Sequence, residues 1–346
     1  MKILKYLLLC SFTLFINTIN GQDFHLSQLQ LAPLALNPAL TGAACGPRIT
    51  TAYRNQWASI LKANAFQTAA LAYDHPIFLK NGDKIGIGIS TYFDQAGQLD
   101  FRTLSGELMG AYHKKIGSNP SQTHFLSGGL SFGLNERSID FTNAQWASQH
   151  DGEGSFDPSL PAGESFDRDN FLFVDLKLGI HWQSTFSNGN TFQTGFSMAH
   201  FNRPNQSFDP STDLPLYVNY KFYGQAVLNI SKKIALTPKL FISEQGLSFG
   251  GIGGTGLQFL LKEHTQNTIE IGSAVRIVNR AAPFINGQTT IGNTFLWADA
   301  LIFNLNYTHQ KFIIGLSYDY NISDLERASN GNGAYEAVLI YRFCNK

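Results

Sequence analysis

Charge is scarce in this sequence. Asp, Glu, Lys and Arg make up 14% of the 346 residues, against roughly 25% in soluble domains. The two signs cancel to a formal net charge of zero. There is no basic stripe or arginine cluster, so nothing points to a nucleic-acid partner. Long apolar runs are missing too. Beyond the amino-terminal region no stretch reaches the roughly 18 residues a membrane-spanning helix needs. Cysteine is nearly absent, with three residues, and the nine histidines are scattered without zinc-ligand spacing. The glycine run of residues 250–256 lacks the Lys-Ser/Thr ending of a phosphate loop, and no helical pattern follows it. It reads instead as a flexible strand end, where missing Cβ atoms permit sharp curvature. No Ser–His–acid set stands out, and no residue set calls for a cofactor or a metal. The chain does not read as an enzyme.

Aromatic residues and glycine are abundant, with 28 Phe, 13 Tyr and 32 Gly. Mean hydropathy is nonetheless −0.10. A membrane β-barrel has this profile, because lipid-facing and lumen-facing residues alternate and average out. At the amino end, Lys2 and Lys5 precede an apolar core over residues 6–16. Small and polar residues then lead to a cut after Gly21, so residues 1–21 read as a signal peptide for export. A lipoprotein cut is disfavoured: Leu9 is too large for the position before Cys10, and Cys10 lies inside the apolar core.

The stretch from Asn37 to Trp57 organises the rest of the chain. Asn37-Pro38 and Thr41-Gly42 are chain-reversing pairs. After Pro47 the pattern has period two, with Ile49, Thr51, Tyr53 and Trp57 on one side and Arg54 and Gln56 on the other. Alone, this stretch fits an edge strand of a soluble sandwich as well as the first strand of a barrel. Fourteen strand-like runs start from here: residues 48–58, 65–74, 84–93, 101–114, 124–135, 170–182, 191–201, 217–230, 233–243, 254–261, 268–278, 295–305, 311–320 and 334–343. Most are about the length a tilted strand needs to cross a bilayer. In 311–320, Phe312, Ile314, Leu316, Tyr318 and Tyr320 oppose Gly315, Ser317 and Asp319. Connections alternate between compact (187–190, 231–232, 309–310) and long (136–169, 202–216, 279–294, 321–333). Outer-membrane barrels have short periplasmic turns and long outer loops; a sandwich has no reason for this alternation. The sequence thus predicts an all-β, antiparallel outer-membrane β-barrel of fourteen strands over residues 46–346, with both termini periplasmic.

Residues 22–45 are apolar but not periodic, and Pro33 and Pro38 interrupt them. Irregular backbone cannot face lipid, because its polar groups would go unsatisfied. The segment is expected at the periplasmic mouth, inside the lumen as a plug, or as a docking peptide for a partner. Without the signal, two cysteines remain. Cys45 precedes the first strand and Cys344 follows the last, and these strands are neighbours in a closed barrel. Export leads to a disulfide-permissive compartment; the pair forms a seam disulfide or stays as two thiols. Arg54 and Glu336 have matching parity on the same two strands, which places both in the lumen, either paired or bound to other partners. The carboxylates of the long loop (Asp151, Glu153, Asp157, Glu164, Asp167 and Asp169) match no calcium-loop spacing and read as a solvated surface.

Three motifs taken together resemble the opening of a known family: QDFHLSQ (22–28), NPALTG (Asn37 and Pro38 first) and YRNQW (Tyr53, Arg54, Asn55, Gln56 and Trp57). The run YDYNIS…ASNGNGAYE (318–336) resembles its close. The family is PorP/SprF, outer-membrane proteins associated with the type IX secretion system. The resemblance implies a component of the secretion and gliding apparatus that helps secrete or anchor a large surface adhesin through its C-terminal targeting domain. It implies partners among that adhesin, periplasmic and outer-membrane secretion components, and outer-membrane lipid. The segment 22–39 is more leucine-rich than the family's usual aromatic-containing version. A different reading of the same barrel is a passive diffusion channel.

Overall fold

A strand that is apolar on one face only must bury that face in a core or in lipid. The computed structural model describes residues 23, 25–142, 144–150, 155–163, 167–261, 267–280 and 295–344. One antiparallel sheet closes on itself. Its strands are β1 Arg48–Gln56, β2 Phe66–Phe78, β3 Lys84–Ala96, β4 Phe101–Asn119, β5 Gln122–Ser138, β6 Asn170–Phe186 and β7 Thr191–Ala199. They continue as β8 Asn219–Asn229, β9 in two pieces (Ile234–Leu236 and Lys239–Gln245), β10 Ser248–Leu260, β11 Thr268–Arg280, β12 Phe295–His309, β13 Phe312–Asn321 and β14 Asn332–Arg342. Pro238, which has no N–H to donate to a ladder, falls between the pieces of β9; both pieces pair with β8 and with β10. The barrel is thus fourteen-stranded, and each expected run falls on one of its strands. Strand β14 closes the ring against β1, with Arg48 opposite Arg342 and Arg54 opposite Glu336.

Parity sorts the side chains. Leu108, Ile180 and Leu316 point outward, and Leu108 is 61% exposed; their neighbours Met109, His181 and Ser317 are buried inside. The connections sort as well. The turns at 79–83, 120–121, 187–190, 230–233 and 310–311 share one end with the start of β1 and the end of β14, the turn end. The long connections 139–169, 200–218 and 322–331 lie at the other, the loop end. Residues 281–294 of the expected loop 279–294, and the expected signal peptide, lie outside the described residues.

Two local expectations are corrected. The glycine run is not a strand end: residues 250–256 lie within β10, paired on one side to β9 and on the other to β11. Trp57 does not continue the outward row of β1. Its φ of 59° breaks the alternation, because a left-handed residue turns the chain out of the extended path, and its ring packs edge-on against Phe66 at 5.4 Å.

Candidate functional site: the lumen and the segment within it

Apolar residues with no periodicity can be buried only where something else satisfies their backbone. Residues 25–45 solve this inside the barrel. Three single turns, Leu29–Leu31, Pro33–Leu36 and Pro38–Leu40, satisfy part of the backbone locally. Leu26, Leu29, Leu36 and Leu40 are buried against Ala52, Tyr223, Val338 and Ile340 of the wall. Of the placements open to this segment, the structure places it in the lumen.

The wall satisfies the remaining polar groups at successive heights. At the turn end, Asp74 of β2 accepts from the Gly42 N–H at 2.7 Å and from the Arg48 guanidinium at 2.8 and 2.9 Å. The same guanidinium donates to the Leu40 carbonyl at 3.2 Å. Higher up, His113 of β4 contacts the Thr41 carbonyl through Nε2 and Ser127 through Nδ1, both at 2.7 Å. Ser127 and His113 are each 2% exposed, and the pair braces the segment from the wall. Mid-lumen, Asn37 caps its own turn by accepting from the Ala39 N–H at 2.8 Å. Its Nδ2 donates to the carbonyls of Ile180 and Phe196 at 2.9 and 3.1 Å. A Cβ on Gly179 would overlap the Asn37 amide, so the segment can approach the wall only where the wall is bare. Ser197 donates to the Leu36 carbonyl at 3.0 Å.

A charged knot lies above. Glu336 accepts from the N–H groups of Ser27 and Gln28 at 2.7 and 2.8 Å. Arg54 lies 3.4 Å from Glu336 and 2.8 Å from Asp319, and it donates to the Ser27 hydroxyl at 2.8 Å. Asp319 also meets Arg276 at 2.7 Å, and Arg276 meets Asp299 at 2.9 Å. Buried charges of this kind are tolerated when paired and hydrogen-bonded. Arg54, Asp319 and Glu336 are all 3% exposed or less.

At the loop end, Asp23 donates its N–H to Gln245 at 2.9 Å and accepts from Asn219 at 2.8 Å. Its carboxylate faces His200 Nε2 at 2.9 Å, while His200 Nδ1 faces Asp175 at 2.9 Å. Burial pulls the His200 imidazole down, but the two carboxylates outweigh it and hold the ring at about 9. Burial raises the Asp23 carboxyl, and His200 outweighs that, leaving it well below the usual range.

The residues singled out from sequence are thus distributed through one assembly. Asn37 and Pro38 lie against β5 to β7, Arg54 and Glu336 meet in the charged knot, and Gln56 and Trp57 line the loop-end mouth. Tyr53 points outward, and Asn55 donates to its hydroxyl at 3.3 Å. Cys45 and Cys344 are joined in a disulfide with a Cα–Cα distance of 5.5 Å. Sequence reasoning missed Ser27, Gln28, Arg276, Asp23 and His200 as contact partners. Asp319 was placed on the inward face of β13, and that carboxylate among small residues was the available signal. The described chain also begins at the loop end, at Asp23, and finishes at the turn end, at Cys344. Asp23 and Cys344 thus lie at opposite ends of the barrel, and the junction at Cys45 lies beside Cys344; the termini themselves, residues 1–22 and 345–346, lie outside the described residues. Among the described residues no group of three or more His, Cys, Asp or Glu could hold a metal ion; Asp151, Glu153, Glu164 and His264 lie outside them.

Among solved structures, the barrel is similar to a TodX monoaromatic hydrocarbon channel deltaS2 mutant, with 12% identity, 91% of this chain and 94% of that chain covered, and a TM-score of 0.44. It is similar to BamA from Haemophilus ducreyi lacking POTRA domains 1–3, with 10% identity, coverages of 87% and 71%, and a TM-score of 0.44. CdiB from Escherichia coli gives 10%, 85%, 63% and 0.43 in the same order. Likenesses this distant say nothing of a shared activity. No curated protein matches the sequence. The family described as type IX secretion system membrane protein PorP/SprF matches residues 18–341. Matched over nearly its whole length, the chain belongs to the PorP/SprF family.

Proposed function

We propose that this outer-membrane component of the type IX secretion system acts as a receptor and anchor for an exported surface adhesin, rather than as a catalyst or an open pore. One observation carries the reading: the lumen is crossed by the chain's own residues 25–45, hydrogen-bonded to walls on opposite sides of the barrel. A channel for passive diffusion needs a continuous aqueous path, and this segment lies across it. The loops 139–169 and 200–218 are the surface left for a large partner. Family membership supplies the secretion system; the adhesin and its C-terminal targeting domain are the finer part of the proposal, as are a signal peptide at residues 1–21 and long loops that face outward.

The test is a crosslinked pull-down of the tagged protein from native outer membrane, with partners identified by mass spectrometry. A large adhesin among the partners is the expected result. Its reproducible absence from correctly assembled barrel would count against anchoring. Planar-bilayer conductance separates the channel reading: the folded barrel is expected to stay closed, and a steady open pore would favour diffusion.

A further inference from the structure

The lumenal segment does more than fill the barrel; it runs through it from end to end. Its contacts give the direction. Gly42 is held by Asp74, near the turn end, where Arg48 lies opposite both Asp74 and Arg342. Asn37 is held mid-wall by the Ile180 and Phe196 carbonyls. Ser27 and Gln28 are held by Glu336. Asp23 is held by Gln245, Asn219 and His200. These last three residues border loop-end connections: Gln245 ends β9, Asn219 begins β8, and His200 directly follows β7.

We propose that the lumenal segment reaches the outer face of the membrane at its Asp23 end, latched there, and forms part of the surface this barrel offers to a polypeptide partner. The inference rests on the reading that the loop end faces outward. Two further observations support it. His25, two residues along, is exposed. It lines a cavity of about 310 Å³ with Leu26, Arg54, Phe249, Arg276 and Asp299. The cavity combines two guanidiniums, a carboxylate and an aromatic ring, groups that suit a polypeptide of mixed side chains. The partner meeting this end is the polypeptide received by loops 139–169 and 200–218.

The native cysteines make the test clean. Cys45 and Cys344 are bonded to each other, and Cys10 lies in the expected signal peptide, so the wild-type chain serves as the unlabelled control. Three single variants are compared in intact cells with a membrane-impermeant maleimide, and again after the envelope is opened. Ser211→Cys lies in the exposed loop 200–218, Ser187→Cys at an exposed turn, and His25→Cys at the latched end. Heat-modifiable gel mobility checks that each has folded. The expected result is label on Ser211→Cys and His25→Cys in intact cells, and on Ser187→Cys only after opening. A His25→Cys that labels only after opening, or in neither state, overturns the proposal. Label on Ser187→Cys but not Ser211→Cys in intact cells overturns the orientation and the outward presentation with it, and is distinguished from the first failure by those two controls. A short epitope inserted directly before Asp23 gives a second readout. Antibody binding to intact cells supports the proposal; binding only to opened cells overturns it.

Discussion

A Cβ on Gly86 of β3 would overlap the carbonyl oxygen of Thr41 and stand 2.9 Å from the Gly42 Cα. The wall is bare here because the segment's backbone occupies the space a side chain would take. Gly86→Val should therefore push the segment off the wall. Overpacking of this kind costs about 1–3 kcal/mol, read as a lower urea midpoint of the folded barrel in detergent. Gly106→Ala is the control: Gly106 faces outward with nothing within 4 Å, and its midpoint should not fall. Equal effects from both would mean that the loss lies in the strands and not in the segment.

Arg54 neutralises two buried carboxylates at once, Asp319 and Glu336. Truncating one partner of a buried pair leaves uncompensated charge and costs about 3–5 kcal/mol. Arg54→Ala should fall at the lower end, since Asp319 keeps Arg276 and Ser27. The double variant Arg54→Ala/Glu336→Gln should recover part of the loss, because it removes the stranded charge as well. Chemical denaturation of the wild type, both single variants and the double gives the coupling. A double variant no more stable than Arg54→Ala alone would show that Glu336 matters through its bonds to the Ser27 and Gln28 N–H groups and not through the ion pair.

Parity and periodicity made the barrel legible. Alternation in 311–320 placed Asp319 inward, and matching parity placed Arg54 and Glu336 on one lumenal surface. Loop lengths separated the two ends. The glycine run was misjudged because glycine weakens the apolar alternation that marks a strand, so only residues from 254 onward read as one. Lumenal contacts were harder to read. Arg54 and Asp319 are on non-adjacent strands, and Asp23 reaches His200 across the barrel; such pairs depend on the path of an aperiodic segment, about which strand periodicity is silent. That path is also why Asp23, ahead of β1, lies at the loop end. An even strand count fixes where β1 starts and β14 stops, but not where a segment ahead of β1 leads.

Cys45 and Cys344 tie the junction of the lumenal segment to the end of the last strand, 299 residues apart in sequence. Cross-links closing long loops stabilise by about 2–4 kcal/mol, largely by restricting the unfolded chain. Reduction, or the Cys45→Ser/Cys344→Ser variant, should lower the unfolding midpoint accordingly and slow the unfolded chain on a non-reducing gel. The register of β1 against β14 makes nine paired positions independently of the bridge, so the reduced barrel should still fold. No change in midpoint on reduction would mean that the bridge adds nothing beyond this seam.

His200 makes the latch on Asp23 dependent on pH. The two carboxylates hold the folded imidazole at about 9, above its ordinary value of 6.5. A pKa raised on folding means that the native state holds the proton more tightly than the unfolded chain. The stabilisation is therefore fully present below about 6.5 and is lost as pH rises through 9. Wild-type barrel should show a falling unfolding midpoint between pH 7 and pH 10, together with faster backbone hydrogen exchange over residues 25–30 beyond the intrinsic effect of pH. In Asp23→Asn the imidazole loses one of its carboxylates, so its folded pKa should drop, and the fall should be smaller and end at lower pH. His200→Gln keeps the hydrogen-bonding capacity without the charge, and its midpoint should no longer carry this pH-dependent component. Identical pH profiles for wild type and Asp23→Asn would show that Asp175 alone holds the proton, and that the amino end is fastened by Asn219 and Gln245.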